Sequence, residues 1–173
     1  SASWLDDFSL FMAIKEHHGG GSWQDWPDDI RHRRPDAMAA ARNELDEMVG
    51  RHAFRQFAAH RQWAALRART HELGVQIIGD VPIFVAMDSA DVWARRDVFR
   101  LTPDGQPEVL TGVPPDYFSE DGQLWGNPLY AWENHQETGY SWWIDRLRAS
   151  AELADLIRID HFRGFEAYWS VPA

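Results

Sequence analysis

Residues 155–173 read DLIRIDHFRGFEAYWSVPA. An apolar run, Leu156-Ile157, gives way to Arg158, Asp160, His161 and Arg163, and the sequence ends thirteen residues after Asp160. Successive side chains alternate across a strand, so LIRID puts Arg158 and Asp160 on one face and Ile157 and Ile159 on the other. The isoleucines can pack outward against helices. The charged pair then projects from the carboxyl end of the strand, where barrel enzymes place their sites. A guanidinium beside a carboxylate favours its ionised form, and the pattern predicts that Arg158 lowers the pKa of Asp160. An ionised, fixed Asp is what attack on a sugar C1 requires. A structural ion pair is the alternative.

Working outward, VQIIGD at 75–80 reads as a second buried strand. Asp80 ends it in the position equivalent to Asp160. Two acids at the ends of two parallel strands point to one pocket, although Asp80 before Val81-Pro82 also suits a turn or cap. The rest is rich in helix. Ser3 can cap a helix carrying Trp4, Leu5, Phe8, Phe11 and Met12, which Gly19-Gly20-Gly21 ends. SWQDWPDDIRHRR reads as an irregular connection. Pro35 opens a helix over 35–50 that Gly50 stops. A long helix over 52–72, with Phe54, Phe57 and Trp63 among its apolar residues, closes at Gly74. Asp88 or Ser89 caps a short helix at SADVWARR, Pro103-Asp104-Gly105 turns a hairpin over 99–112, and a last helix over 141–154 leads into LIRID.

GVPPDYFSEDGQLWGNPLY, 112–130, reads as a long Pro/Gly-rich loop, which in a compact domain is usually functional. It mixes flat rings with hydrogen-bonding groups: Asp116, Tyr117, Phe118, Gln123, Trp125 and Asn127. If 123–125 is extended, Gln123 and Trp125 face the same way. Otherwise the segment is a self-packed surface loop.

The sequence of 173 residues has length enough for one packed core. Asp and Glu outnumber Lys and Arg by 27 to 17, for a net charge of -10. That balance argues against nucleic acid, whose phosphates need basic partners. No apolar run has the length of a membrane span, and the N-terminus lacks a signal-like core. The count of zero cysteines excludes disulfides and thiolate metal sites and suits a reducing cytoplasm. The ten tryptophans serve as core, or some of them as platforms for sugar rings. His17-His18 has no usefully spaced carboxylate, so no metal site is expected. GGG lacks the Lys-Ser/Thr of a phosphate loop.

Helix, strand, excursion, helix, strand is the cadence of a parallel α/β sheet or barrel. With two convincing strands no barrel closes, so the expected fold is α/β, part of a (β/α)8 TIM barrel. The expected layout has 1–74 mainly helical, a barrel strand at 75–86, an inserted subdomain with the loop at 87–140, and helix plus acid-bearing strand at 141–173.

Long motifs carry a resemblance. IIGDVPIFVAMDSADVW, GVPPDYFSEDGQLWGNPLYAW, GYSWWIDRLR, LIRIDHFRGFEAYWSVPA and WLDDFSLFMAIKEHHGGGSWQDWP resemble the amylomaltases, the 4-α-glucanotransferases of glycoside hydrolase family seventy-seven. The resemblance implies a (β/α)8 barrel with inserted helical subdomains, of which this chain holds about strands 3 and 4. It implies transfer of α-1,4-glucan segments to the 4-hydroxyl of an acceptor by a retaining double displacement, without metal or cofactor. Asp160 matches the nucleophile, supported by Arg158. Asp80 matches the acid that contacts sugar in the donor site, and His161 a substrate-binding His. Tyr117, Phe118, Gln123 and Trp125, with Asp116, match the loop over the glucan chain. The family's acid/base Glu would fall beyond Ala173, and Glu166, only six residues past Asp160, is not a substitute. The chain alone is therefore expected to be inactive. Partners implied are maltooligosaccharides and α-1,4-glucans. A non-catalytic glucan-binding piece and an α-amylase-clan hydrolase are the competing readings.

Overall fold

A computed structural model describes residues 4–117 and 119–173. The described residues form a mixed α/β fold. The helices are α1 (Leu5–His17), α2 (Asp28–Arg31), α3 (Pro35–Glu44), α4 (Asp46–Glu72), α5 (Ala90–Ala94), α6 (Trp132–Glu137) and α7 (Ser141–Leu153). The strands are β1 (Ile78–Pro82), β2 (Val109–Val113), β3 (Gln123–Pro128), β4 (Leu156–Asp160) and β5 (Trp169–Pro172). β1 and β4 pair in parallel, and β3-β2-β5 form an antiparallel sheet.

α1 buries Leu10, Phe11, Ala13 and Ile14 and ends at the glycine run. Asp6 and Asp7 in its first turn and Lys15 and His17 in its last complement the helix dipole. The proposed cap at Ser3 lies outside the described residues. The connection after α1 is more regular than its sequence suggests. Trp23–Asp25 is a 3-10 turn that Ser22 caps, and α2 follows.

Pro35 does open a helix, but Gly50 does not stop it. The break falls at buried Leu45, and α4 runs straight through Gly50. Glycine costs a helix about 1 kcal/mol against alanine. Here α1 holds the next turn of α4 in place, because Glu16 accepts from Arg51 at 2.7 Å and from His52 at 3.1 Å. Gly74 behaves as expected. It adopts φ +70 and, with Val75 N–H bonded back to Thr70 C=O at 2.9 Å, closes α4.

α7 matches its expected span within a residue, and Ser89, not Asp88, caps α5 through Val92 N–H. Asp88 instead pairs with Lys15. The turn at 103–105 forms, with Thr102 and Gln106 bonded at 2.8 Å. The hairpin expected over 99–112 forms only as far as 100–108, where Leu101 bridges Pro107 and Glu108 N–H bonds to Arg100 C=O at 3.1 Å; β2 then leaves it to pair with β3 and β5. Nor is 112–130 loop throughout: β3 occupies its second half. β5 was not expected at all.

The core gathers Leu10, Ile14, Ile83, Val92, Leu129 and a dense set of rings. Trp23, Trp26, Trp93, Trp142 and Trp143 are all buried, so five of the ten tryptophans pack the interior. Trp125 and Trp169 remain exposed on β3 and β5. The β1–β4 pair is not buried as expected: Ile78 is 67% and Leu156 52% exposed, since a two-stranded sheet leaves one face uncovered. Phe54 and Phe57 of α4 are also exposed. No helix among the described residues is long and apolar enough to cross a membrane.

Candidate active site

The parallel register sets Asp80 across from Arg158 and Pro82 across from Asp160. Arg158, two residues before Asp160, therefore lies between the two acids. Its Nε donates to Asp80 Oδ1 at 2.9 Å and its Nη2 to Asp80 Oδ2 at 2.6 Å. The same Nη2 reaches Asp160 Oδ1 at 3.3 Å. The sequence placed the guanidinium's main effect on Asp160; the bidentate fork instead closes on Asp80. Those bonds first, and then the charge of Arg158, hold the Asp80 carboxyl below its ordinary value against an opposing desolvation. In return Asp80, and secondarily Asp160, raise the pKa of Arg158. All three side chains are more than half exposed, at the open end of the sheet.

Beyond Asp160 the chain turns sharply. His161 takes the left-handed conformation, φ 55 and ψ 45, and a 3-10 turn over Phe162–Phe165 follows. Gly164 lets that turn pack closely on Ile83. A Cβ there would stand 2.8 Å from Ile83 Cδ1 and 3.1 Å from His161 Cδ2. The segment after Asp160 thus packs on the segment after Asp80.

An aromatic group assembles above this contact. The Trp125 ring meets His161 edge-on at 5.1 Å, and Phe84 approaches Trp125 at 6.3 Å, His161 at 6.2 Å and Tyr168 at 6.1 Å. Gln123 and Trp125 do share a face of extended β3, and Trp125 Nε1 donates to Gln123 Oε1 at 2.9 Å. Asn127 is a strut: its Nδ2 donates to Val85 C=O at 2.8 Å and its backbone N–H to Thr111 Oγ1 at 3.2 Å. Asp116 receives Ser119 N–H at 2.9 Å in the turn between β2 and β3, where Tyr117 is 98% exposed. Phe118 lies outside the described residues.

The structure therefore brings Asp80, Arg158, Asp160, His161 and Trp125 into one neighbourhood, with Gln123 bonded to its Trp125 edge. Sequence inspection missed Phe84. Its signal was the apolar run Val81-Pro82-Ile83-Phe84 directly after the acid; the ring reaches the site because β1 ends at Pro82 and the chain bends there. An open cleft of about 360 Å³ lies elsewhere, between α4 and the end of α7, beside Trp63, Arg67 and His71. Among the described residues no group of three or more His, Asp or Glu is placed to hold a metal ion. The His18 ring stacks on Trp26.

The described residues define a mixed α/β protein whose two acids and neighbouring rings lie toward the carboxyl ends of adjacent parallel strands, where α/β proteins commonly keep their sites. The family can be stated as well: residues 1–173 match the profile of the 4-alpha-glucanotransferase family, and the chain belongs to it. It is 55% identical over 172 residues to the 4-alpha-glucanotransferase of Thermus thermophilus, covering 99% of this chain and 34% of that protein. The Synechocystis sp. 4-alpha-glucanotransferase is 50% identical, with the same shares covered. An amylomaltase from Streptococcus agalactiae, solved in complex with acarbose, superposes with a TM-score of 0.95 at 44% identity, over 98% of this chain and 34% of that one. The chain thus spans about a third of the length of the relatives it matches.

Proposed function

We propose that this chain carries one side of the active site of a 4-α-glucanotransferase, which moves α-1,4-glucan segments to the 4-hydroxyl of an acceptor glucan or glucose. The observation that supports this reading most is Arg158 spanning two carboxylates unequally. Asp80 receives the bidentate fork and is fixed, as suits a group that holds a sugar hydroxyl. Asp160 accepts a single 3.3 Å bond from it, as suits a nucleophile that must approach C1.

In this reading Asp160 attacks C1, the C1–O bond to the leaving glucan breaks, and a covalent glycosyl-enzyme forms with inversion. The acceptor hydroxyl then displaces Asp160 with a second inversion, so configuration is retained. An acid/base carboxyl about 5–5.5 Å from the nucleophile must protonate the leaving oxygen and later deprotonate the acceptor. Exposed Glu166 is not assigned that role. His161, Trp125, Gln123, Tyr117, Phe118, Asp116 and Asn127 would line or support the path of the glucan. Rings there would favour a sugar acceptor over water by stacking on its C–H faces. The β1–β4 pair corresponds in this proposal to about strands 3 and 4 of a (β/α)8 barrel, in the layout 1–74, 75–86, 87–140 and 141–173. The absence of cysteine from the sequence suits a cytoplasmic setting. No cofactor enters the chemistry. By itself, at about a third of the relatives' length, the chain is inactive.

The test replaces the matching segment of the Thermus thermophilus relative with these residues and measures glucose and longer oligosaccharides formed from maltotriose. Transfer is expected, and Asp160→Asn is expected to lower it by at least about 10³-fold. A fluorinated maltosyl donor should label Asp160. An Asp160→Asn protein that still transfers, a hydrolase that forms no longer oligosaccharides, or glucan binding without turnover would overturn the proposal.

A further inference from the structure

The pairing of β1 with β4 stops at Pro82 and Asp160, yet the chain beyond it is held firmly. A side chain holds it. Arg146, on α7, donates Nη2 to Pro82 C=O at 2.6 Å and Nη1 to Ile83 C=O at 3.1 Å. The Tyr130 hydroxyl donates to the same Ile83 C=O at 2.5 Å and accepts from Arg146 Nη1 at 3.3 Å. The guanidinium is itself fixed over the rings of Trp143 at 4.9 Å and Trp142 at 5.3 Å. A planar fork thus grips two successive carbonyls of one backbone segment.

That segment is two to three residues past Asp80 and one short of Phe84. Its upstream neighbour is the acid bound to Arg158; its downstream neighbour is the ring against Trp125 and His161. Ile83, between them, is the residue on which Gly164 closes. A shift of the 82–83 backbone would therefore move Asp80, Phe84 and the turn after Asp160 together.

We infer that Arg146 is a positioning residue for the glucanotransfer reaction: it touches no substrate, but sets the spacing between Asp80 and the Phe84–Trp125–His161 rings. The inference rests on the proposal that Asp80, Asp160 and the rings beside them belong to a glucanotransferase active site. Lysine cannot replace it fully. An ammonium is a point donor and lacks the rigid fork that reaches both carbonyls at once.

The experiment uses the same exchanged-segment enzyme, with Arg146→Met and Arg146→Lys. Met keeps the apolar bulk against the tryptophans and removes the donors; Lys keeps the charge. Burst kinetics with an activated maltosyl fluoride give two readouts, the fraction of competent sites from the amplitude and the glycosylation rate constant per site. Misplacement of about 1 Å at a reacting centre costs about 100-fold. Because both displacement steps use the same donor groups, Arg146→Met is expected to slow glycosylation and deglycosylation alike by about 100-fold, and so to lower kcat equally, with the burst amplitude kept and KM for maltotriose changed by less than about threefold. Arg146→Lys should fall between Met and the unsubstituted enzyme. If both variants lose amplitude while the rate constant per site stays the same, Arg146 serves only folding and the inference is wrong. Unchanged kinetics in Met also overturn it. An unsubstituted exchange that makes no transfer product overturns the proposed function, and this inference with it.

Discussion

Tyr130 is the point where the buried rings meet the backbone behind Asp80, and its hydroxyl and ring make separable contributions. The residue is 1% exposed. Its ring lies 5.3 Å from Trp143, 5.4 Å from Phe99 and 6.2 Å from Phe84. Tyr130→Phe keeps those contacts and deletes only the hydroxyl. Ile83 C=O is not orphaned by that change, because Arg146 Nη1 still reaches it at 3.1 Å. Arg146 Nη1, which the hydroxyl shares with Ile83 C=O, likewise stays paired, so the net loss is the bond from Tyr130 to Ile83 C=O, about 0.5–1.5 kcal/mol. Tyr130→Ala also removes a fully buried ring and leaves a cavity, a loss of about 3–5 kcal/mol. For a chain of this size each kcal/mol moves Tm by about 2–4 °C. The Phe variant should therefore lower Tm by roughly 1–6 °C and the Ala variant by roughly 6–20 °C, followed by far-ultraviolet circular dichroism. The phenol supplies a second signature. Burial, most of all, raises the Tyr130 pKa above its ordinary value, against the opposing charge of Arg146. A raised folded-state pKa means a stabilisation complete below the unfolded pKa of about 10 and lost as pH rises beyond it. The gap in Tm between the unsubstituted chain and Tyr130→Phe should narrow above about pH 10, since the variant has no phenol proton to lose. A Phe variant as damaged as Ala, or a gap constant through about pH 11, would refute this account of the core.

Two further outcomes are expected. Asp155 accepts from Ile77 N–H at 2.8 Å, His71 Nε2 at 2.8 Å, and Arg67 Nε at 3.0 Å and Nη2 at 2.5 Å. Those bonds, that to Ile77 foremost, depress its pKa strongly. The stabilisation from a depressed carboxylate is present above its unfolded pKa of about 4 and lost as pH falls toward the folded value. The urea midpoint of the chain should therefore exceed that of Asp155→Asn at pH 7, and the difference should shrink at pH 3; a difference that grows on acidification would contradict the assignment. Separately, the 173-residue chain incubated with maltotriose should release no glucose, and measurable release would show that its own carboxylates suffice.

How much of this was legible in the sequence follows from which interactions decide each element. LIRID was legible because strand alternation is local: Arg158 and Asp160 share the exposed face while Ile157 and Ile159 are half-buried. Gly74 and Ser89 were legible because caps depend on adjacent residues. Gly50 misled because a contact from Glu16, more than thirty positions away, outweighs a local helix penalty. β3 was hidden in 112–130 because its partner β2 lies across the irregular stretch 114–122, and the Pro and Gly residues in and around both strands read as loop. The site divides in the same way. That Asp80 and Asp160 lie near each other was inferable from two acids late in adjacent strands, but their equivalence was not: β1 runs on to Pro82, which sits opposite Asp160, and Asp80 sits opposite Arg158. Nor was the preference of Arg158 for Asp80, because it depends on register between strands far apart in sequence.

That register is set at the opposite end of the sheet from the acids. Ile77, one residue before β1, donates its N–H to the Asp155 carboxylate, one residue before β4, and its C=O accepts from Asp155 N–H at 2.9 Å. Counting forward from this anchor gives Ile78 opposite Leu156 and Asp80 opposite Arg158, as observed. Parallel neighbours lie about 4.8 Å apart, whereas residues two apart along a strand are separated by about 6.6 Å. The guanidinium therefore meets Asp80 with its full fork and Asp160 with one long bond. A slip of one residue would carry Asp80 to the other face relative to Arg158 and erase the difference between the acids. The clamp formed by Asp155 with Arg67, His71 and Ile77 thus touches neither acid, yet it determines which carboxylate receives the full fork of Arg158 and which a single long bond.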